Sequence, residues 1–298
     1  MKKVVVITGP TAVGKTKLSV EIAKYFNTDL INADAYQVYK EMNIGTAKVT
    51  AFEMQGIKHH LLSFLDPKDE FSISDYQKYV RNIIDNMNDK LPIMVGGSGL
   101  YIDSVVRDYH FDEEKRDDDS KYDDLSNDEL YDILLKKDVD LANKIHKNNR
   151  KRVIRAIELS NYPENKISRS NREVFVYDTL CIFLSDDREK LYNRINERVD
   201  KMINDGLVEE VKKIGINNFS ITSKAAIGYK EIIDYLEGKI SLEEAIELIK
   251  KNSRHYAKRQ FTWFKNKTES IIINVDIDNF DNTIENAKNI ITDFLTRD

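Results

Sequence analysis

The chain has 298 residues, of which 41% are apolar and 33% charged, with a formal net charge of −5 and one cysteine. This length allows one large α/β domain or two modest ones, and the longest apolar runs fall far short of the ~20 residues that a membrane span requires. The single cysteine excludes a disulfide framework and a thiolate metal site. We therefore expect a monomeric cytoplasmic protein without a membrane segment.

The first hundred residues alternate short apolar runs with amphipathic segments. These patterns predict a strand at 4–8, a helix at 15–25, a strand at 30–33, a helix at 74–86 and a strand at 93–95. Short strands that alternate with helices are typical of a parallel sheet covered by helices. Residues 1–111 are predicted to form the first part of such a core.

Residues 9–16, GPTAVGKT, match the phosphate-binding loop pattern G-x-x-x-x-G-K-[ST] between the first strand and the first helix. The glycines let successive backbone N–H groups point at one anion, and the helix N-terminus adds positive potential. Lys15 would reach the terminal phosphates, and the Thr16 hydroxyl can bind Mg²⁺. We predict a P-loop NTPase-like α/β fold whose phosphate site consists of Gly9, Pro10, Thr11, Ala12, Val13, Gly14, Lys15 and Thr16.

The chain lacks the carboxylate that a P-loop hydrolase uses to organise Mg²⁺. The strand at 93–95 runs directly into GGSGLY, residues 96–101, which contains no acid. Hydrolysis of a nucleoside triphosphate is therefore disfavoured. Two classes of reaction remain: transfer of a phosphoryl group to a small molecule, and a transfer in which diphosphate is the leaving group.

Asp34 directly follows the second predicted strand. The carboxyl ends of parallel strands face the ligand crevice, so we expect this carboxylate beside the phosphate loop. There it could accept a proton from a nucleophile. An aspartate in this position is equally often a helix N-cap or a turn residue.

The sequence changes character after residue 111, and we predict a helical insertion domain at 112–172, with the remainder of the core at 173–298. Ser126 and Glu129 form a capping box, and a second helix is predicted from about residue 149 to 159. A basic run from Lys147 to Arg155 would suit RNA. Residues 112–129, however, hold ten acidic and three basic side chains, which disfavours a contact with phosphates there.

The segment 250–267 holds seven lysines or arginines and no acid, and it interleaves them with aromatic residues. Arg254 and Lys258 share one face of a predicted helix. RNA recognition combines neutralisation of phosphates with surfaces for stacking. Although a solvated amphipathic helix is the alternative, the second basic run makes an RNA-binding face the better prediction.

These segments, in this order, resemble the bacterial tRNA dimethylallyltransferases over nearly the whole chain. The resemblance is carried by GPTAVGKT (9–16), DAYQVY (34–39), IGTAK (44–48), GIKHHL (56–61), GGSGLY (96–101), RKRVIRAIE (150–158), RINERVDKMINDGL (194–207), AIGYKE (226–231) and YAKRQFTWF (256–264).

The resemblance implies transfer of a dimethylallyl group from dimethylallyl diphosphate to the exocyclic amine of the adenine on the 3′ side of the tRNA anticodon. Lys15, Thr16 and Arg198 would grip the diphosphate, with Mg²⁺ at Thr16, and Asp34 would act as general base. No attacking water is needed, so the absent acid is expected. The anticodon stem-loop would contact Asp34, Ala35, Tyr36, Gln37, Ser98, Lys151, Arg152, Val153, Ile154, Arg155, Arg254, Lys258 and Arg259.

This chain departs from the family pattern at two positions near the expected site. Ala35 replaces the usual serine after the catalytic aspartate, and Ser98 stands at the family's usual threonine. Three alternatives remain: a dimethylallyltransferase acting on free adenine nucleotides, a P-loop kinase of small molecules, and a non-catalytic tRNA-binding protein.

Overall fold

The computed structural model describes residues 1–111, 119–161, 173–267 and 269–297, with the side chains of 119, 120, 266 and 267 left aside. Two compact units are present: a core unit, residues 1–106 with 176–298, and a helical unit, residues 107–175. The boundaries predicted at 112 and 172, and part of the acidic stretch, lie outside the described residues.

Six strands of the described chain form one parallel sheet in the core unit, in the order β3-β2-β4-β1-β5-β6. The strands are β1 (Lys3–Thr8), β2 (Leu30–Asn32), β3 (His59–His60), β4 (Ile93–Val95), β5 (Asp178–Ser185) and β6 (Ser270–Asn274). The sheet confirms the predicted fold class. The short β3 was not predicted, so the strand at 93–95 is the fourth in chain order.

Four helices of the core unit precede the helical unit: α1 (Lys15–Tyr25), α2 (Ala51–Met54), α3 (Ile73–Asn86) and α4 (Gly99–Val106). The predicted bounds of α1 are confirmed. Helix α3 begins one residue earlier than predicted, because Ser72 forms a capping box with Asp75. Helix α1 buries Leu18 and Ile22 in the core that surrounds β1 and β5.

The helical unit contains a 3₁₀ turn (Asp119–Tyr122), α5 (Asn127–Lys137), α6 (Val139–Ala142) and α7 (Arg150–Asn161). The predicted capping box at the start of α5 is confirmed: Ser126 N donates to Glu129 Oε2 at 2.8 Å, and Glu129 N donates to Ser126 Oγ at 3.3 Å. The unit has its own apolar core, which includes Leu130, Leu134 and Val153.

The core unit continues with α8 (Arg188–Asn204), α9 (Leu207–Ile214), a 3₁₀ turn (Ile216–Asn218), α10 (Ile221–Lys224), α11 (Tyr229–Leu236), α12 (Leu242–Lys267) and α13 (Phe280–Thr296). Helix α12 starts at a capping box that Ser241 forms with Glu244, the same spacing as the box at the start of α5. No helix in the described parts of the chain combines the length and apolar character needed to cross a bilayer.

The glycines after β4 allow the backbone to pass very close to neighbouring elements. A Cβ at Gly96 would lie 2.2 Å from the Ala33 carbonyl oxygen, and one at Gly97 would lie 1.9 Å from Gln260 Nε2 on α12. These are the positions where a hydrolase would carry its acid. The packing therefore leaves no space for a side chain at position 96, and a side chain at position 97 would have to displace Gln260.

We expect Gly96→Ala to lower the free energy of unfolding by about 1–3 kcal/mol, because the added methyl group overlaps the backbone of Ala33 and forces it to move. Urea denaturation followed by circular dichroism measures the change. An unfolding midpoint equal to that of the wild type would show that the space at this position is larger than the structure indicates.

Candidate active site

The phosphate loop connects β1 to α1, and two of its residues need to be glycine. Gly9 has φ = 150° and Gly14 has φ = 100°, in the region that residues with a Cβ rarely adopt. A Cβ at Gly9 would lie 2.6 Å from the Leu184 carbonyl oxygen of β5, and one at Gly14 would lie 2.8 Å from the Phe280 ring. The loop is thus confined between β5 and the first residue of α13.

The Lys15 ammonium group lies inside this loop. Its Nζ donates to the carbonyl oxygens of Gly9 at 2.9 Å and Pro10 at 2.8 Å. Burial, and then the positive charge of Arg198, lower the pKa of Lys15 to about 7, while Asp34 acts in the opposite direction. Because the charged form of Lys15 is destabilised in the free protein, an anionic ligand that stabilises this charge is favoured.

A cavity of about 350 Å³, called the P-loop cavity below, opens in front of the phosphate loop. The loop residues from Thr11 to Thr16 line it, together with Asp34, Glu53, His59 and Arg198. The structure therefore brings together the phosphate-loop residues, the candidate base and the candidate diphosphate-binding arginine. Gly9 and Pro10 contribute through their contacts with Lys15.

A second cavity of about 210 Å³, called the apolar cavity below, adjoins the P-loop cavity. Helix α8 lines it with Ile195, Val199 and Met202, and further apolar surface comes from Ala226 and Ile249. Five residues line both cavities: Thr11, Asp34, Thr46, Arg198 and Tyr256. The site thus offers an anion-binding compartment and an apolar compartment with Asp34 and Arg198 between them.

Asp34 follows β2, and its side chain stabilises the turn that comes after this strand. Its Oδ1 accepts hydrogen bonds from the backbone N–H groups of Tyr36, at 2.9 Å, and Gln37, at 3.3 Å. Its own N–H donates to Asn32 Oδ1 at 3.1 Å. Among the described residues, none donates a hydrogen bond to Asp34 Oδ2, so one oxygen fixes the turn and the other can accept a proton from a ligand.

Arg198 on α8 reaches the phosphate loop from the opposite side. Its Nη1 donates to Thr11 Oγ1 at 3.0 Å. Burial lowers its pKa, whereas the negative charges of Asp34 and Glu53 raise it. Arginine remains protonated after such a shift, so the cavity retains a permanent positive charge.

Helix α12 contributes two site residues that the sequence patterns did not indicate. Gln260 is buried; its Oε1 accepts from Thr11 N at 3.2 Å, and its Nε2 donates to the Gly97 carbonyl oxygen at 3.0 Å. The Tyr256 hydroxyl lies 3.5 Å from Ser98 Oγ, which accepts from Ala35 N at 3.2 Å. The aromatic and basic pattern of this helix predicts an RNA-binding surface, and it does not predict these contacts with the phosphate loop and with Ser98.

Some of the predicted tRNA-contacting residues of the core unit line the two cavities, and others do not. Tyr36 and Arg259 line the apolar cavity, and Gln37 lines the P-loop cavity. Lys258 is exposed on α12, whereas Arg254 Nη1 donates to Asn196 Oδ1 at 2.5 Å.

In the helical unit, the predicted tRNA-contacting residues differ in exposure. Lys151 and Arg152 are exposed on α7, and Arg155 pairs with Glu158 at 3.0 Å. Val153 is fully buried in the core of this unit, and Ile154 packs against the same core. The Val153 side chain therefore stabilises the fold of this unit, and the tRNA contact expected at this position stays a prediction.

We expect diphosphate binding to be coupled to proton uptake by Lys15. With a pKa of about 7, the free amine is largely neutral at about pH 8.5, and the negative charge of a bound diphosphate raises that pKa. Binding at this pH should therefore take up a proton at Lys15, whereas below about pH 6 the amine is already charged and adds none. Calorimetry in buffers of different ionisation enthalpy measures the uptake.

Lys15→Arg is the matched control, because its guanidinium stays charged throughout this pH range. Subtracting its proton uptake removes the contribution from the titration of diphosphate itself. Equal uptake by the wild type and Lys15→Arg at about pH 8.5 would contradict the lowered pKa of Lys15.

The sequence pattern that defines the IPP transferase family matches residues 37–267. The tRNA dimethylallyltransferase of Bacillus velezensis is 48% identical, with 89% of this chain and 88% of that protein aligned. A crystal structure of the Bacillus halodurans tRNA isopentenylpyrophosphate transferase superposes with a TM-score of 0.75 at 41% identity, covering 99% of this chain and 97% of the other.

A eukaryotic dimethylallyltransferase acting on tRNA superposes with a TM-score of 0.82 at 31% identity, covering 99% of this chain and 80% of the other. Its alignment, like that of the Bacillus halodurans structure, extends over nearly the whole of this chain, whereas the family pattern begins at residue 37, after the phosphate loop. The family pattern, the Bacillus velezensis relative and the Bacillus halodurans structure all indicate the same family. The chain belongs to the IPP transferase family.

Proposed function

We propose that this protein transfers a dimethylallyl group from dimethylallyl diphosphate to the exocyclic amine of the adenine on the 3′ side of the tRNA anticodon, and releases diphosphate. The chain is a tRNA-prenylating transferase by its relatives. The observation that carries the finer assignment is the pair of adjoining cavities, one lined by the phosphate loop and one lined by apolar side chains, which share Asp34 and Arg198.

The substrate has the same two-part character as the site. An allylic diphosphate joins an apolar branched hydrocarbon to a strongly anionic group, and the bond that breaks lies between them. The residues shared by the two cavities are therefore those placed to act on that bond. A phosphoryl-transfer enzyme has no comparable need for an apolar compartment beside its phosphate loop.

The chemistry can be assigned to residues of this chain. As the adenine nitrogen forms its bond to the donor carbon and the carbon–oxygen bond breaks, a proton leaves the amine, and Asp34 Oδ2 accepts it. The loop N–H groups, Lys15 and Arg198 stabilise the charge that develops on the departing diphosphate. The Thr11 hydroxyl, held by Arg198 at 3.0 Å, lies at the boundary between the compartments.

Mg²⁺ fits the donors of the P-loop cavity, because the Thr16 hydroxyl and nearby carboxylates are the hard oxygen ligands that this ion prefers. Thr16 would hold it, and when bound it would neutralise charge on the leaving group. Among the described residues, no cluster of three or more His, Cys, Asp or Glu could hold a metal by itself, so the ligand diphosphate would supply the remaining oxygens.

The anticodon stem-loop is the proposed partner of exposed basic surfaces in both units. Lys258 and Arg259 on α12, and Lys151 and Arg152 on α7, present exposed positive charge. Within each unit they are suited to RNA phosphates. Since tRNA is a cytoplasmic substrate and one chain supplies all residues of both cavities, we propose a cytoplasmic monomer.

The direct test is mass spectrometry of tRNA nucleosides after incubation with dimethylallyl diphosphate and Mg²⁺. A mass increase by one dimethylallyl group on adenosine is expected for tRNA and not for free AMP. Modification of AMP in preference to tRNA would identify the free-nucleotide transferase instead. Transfer of the γ-phosphate of ATP to a small hydroxyl compound would identify a kinase.

Asp34→Asn should lower the turnover number by about 10²-fold or more, the usual scale for loss of a general base. The amide keeps the size of the side chain and can still accept the hydrogen bonds of the turn, so tRNA binding should remain. Single-turnover kinetics and a filter-binding assay separate the two effects. Near-normal turnover would exclude the proposed role of Asp34, and unmodified tRNA with wild-type protein would indicate a non-catalytic binder.

Replacing Arg254 and Lys258 together by glutamine should weaken tRNA binding and flatten its salt dependence. Each lost phosphate contact reduces the slope of log K against log salt by about 0.7–0.9. Lys212→Gln with Lys213→Gln is the matched control, since both lysines are exposed on α9. An unchanged slope in the first variant would place the RNA-binding face elsewhere.

A further inference from the structure

The P-loop cavity contains a carboxylate that the sequence patterns did not indicate. Glu53 of α2 lines this cavity together with Thr16 and Lys17. Its negative charge acts on Arg198, whose pKa it raises against the effect of burial. The chain therefore has an acid at its phosphate site, although none follows β4.

One oxygen of this carboxylate is fixed, and the other is available. Glu53 Oε2 accepts hydrogen bonds from Thr50 N and Thr50 Oγ1, both at 2.8 Å, in the capping box that begins α2. Oε1 accepts no hydrogen bond from any residue within the described ranges. Gln55 ends this short helix in the left-handed conformation, with φ = 48°, so the segment is a tight turn that holds Glu53 in place.

A carboxylate facing a diphosphate site is unfavourable unless a cation lies between the two anions. Glu53 is exposed on the cavity wall, and like charges that face the same cavity repel each other. Lys15 donates to the loop carbonyls and Arg198 to Thr11, and both charges are already assigned to the diphosphate itself. A divalent cation that contacts both the diphosphate and Glu53 converts the repulsion into attraction.

The donor set is also the one that Mg²⁺ requires. P-loop proteins hold this ion with the loop Ser or Thr hydroxyl and an acid from elsewhere in the chain. Of the two carboxylates in the cavity, Asp34 is engaged with Tyr36 N and Gln37 N and is the proposed base. Glu53 is the remaining one.

We infer that Glu53 supplies the carboxylate that holds Mg²⁺ with Thr16 in the diphosphate cavity, in place of the acid that is absent after β4. This inference rests on the proposed function, since it assumes that the cavity binds a diphosphate. It assigns to α2 a positioning role for the metal in addition to its structural one.

Two substitutions separate the metal role from the capping role. Glu53→Gln removes the charge but keeps an oxygen that can complete the capping box, in which glutamine also serves. Thr50→Ala does the opposite, because it breaks the box and leaves the carboxylate in place. Glu129→Gln is the matched control, since Ser126 and Glu129 form the same box at the start of α5, in the other unit.

The experiment is calorimetric titration of inorganic diphosphate at a series of Mg²⁺ concentrations, with thermal unfolding to confirm that each variant is folded. In the wild type, Mg²⁺ should increase the affinity for diphosphate. Glu53→Gln should lose about 10-fold of that increase, the scale seen when a group that supports a metal site is removed. Without Mg²⁺ it should bind diphosphate at least as tightly as the wild type, because the repulsion is gone.

Glu129→Gln and Thr50→Ala should keep the wild-type response to Mg²⁺. If Glu53→Gln also keeps it, or if Thr50→Ala loses as much as Glu53→Gln, Glu53 serves only as a cap and the inference is wrong while the proposed function stands. If the wild type binds no diphosphate with or without Mg²⁺, the inference and the proposed function both fail.

Discussion

The burial of two cations, Lys15 and Arg198, is the constraint on which the site depends. Removal from water lowers the pKa of both groups, the positive charge of Arg198 lowers that of Lys15 further, and Asp34 compensates for part of this. Such an arrangement is costly in the free protein and is relieved by a ligand with several negative charges. The fold keeps the two groups close because Arg198 is anchored to Thr11 and Lys15 to the loop carbonyls.

Helix α12 holds this arrangement together from the C-terminal half of the chain. Gln260 bridges the phosphate loop, through Thr11 N, and the turn after β4, through the Gly97 carbonyl oxygen. Tyr256, one turn earlier, contributes to both cavities. A single helix thus fixes the relative positions of two strand ends and forms part of the wall against which substrates would bind. The exposed basic residues of the same helix, Lys258 and Arg259, are those proposed to contact RNA.

Features that depend on neighbouring residues, such as helix bounds and capping boxes, could be predicted from the sequence. Features that depend on contacts between distant residues could not. The bounds of α1 follow from the motif itself, and the capping boxes at Ser126 and Ser241 follow from spacing. The strand β3 was not predicted because it is only two residues long. The strand β6 was not predicted because it lies at the edge of the sheet, where Ile272 is exposed.

The same division applies to the site. Asp34 was placed beside the phosphate loop by the general rule about strand ends, and the structure confirms that position. The contacts of Thr11 with Arg198 and Gln260 join residues 187 and 249 positions apart, and no pattern along the chain encodes them. Arg198 was identified through family resemblance, whereas Gln260 and Glu53 were found only in the folded protein. Val153 lies within a basic run, and its burial follows from the packing of the helical unit, which the pattern of charges does not encode.

The close packing after β4 also restricts how this protein can evolve. An acid at position 96 or 97 would collide with the backbone of Ala33 or with the side chain of Gln260. An acid at position 96 would require the backbone around Ala33 to move, and one at position 97 would require Gln260 to give up its hydrogen bonds to Thr11 and Gly97. A hydrolase carboxylate after β4 and the present walls of the two cavities therefore compete for the same space.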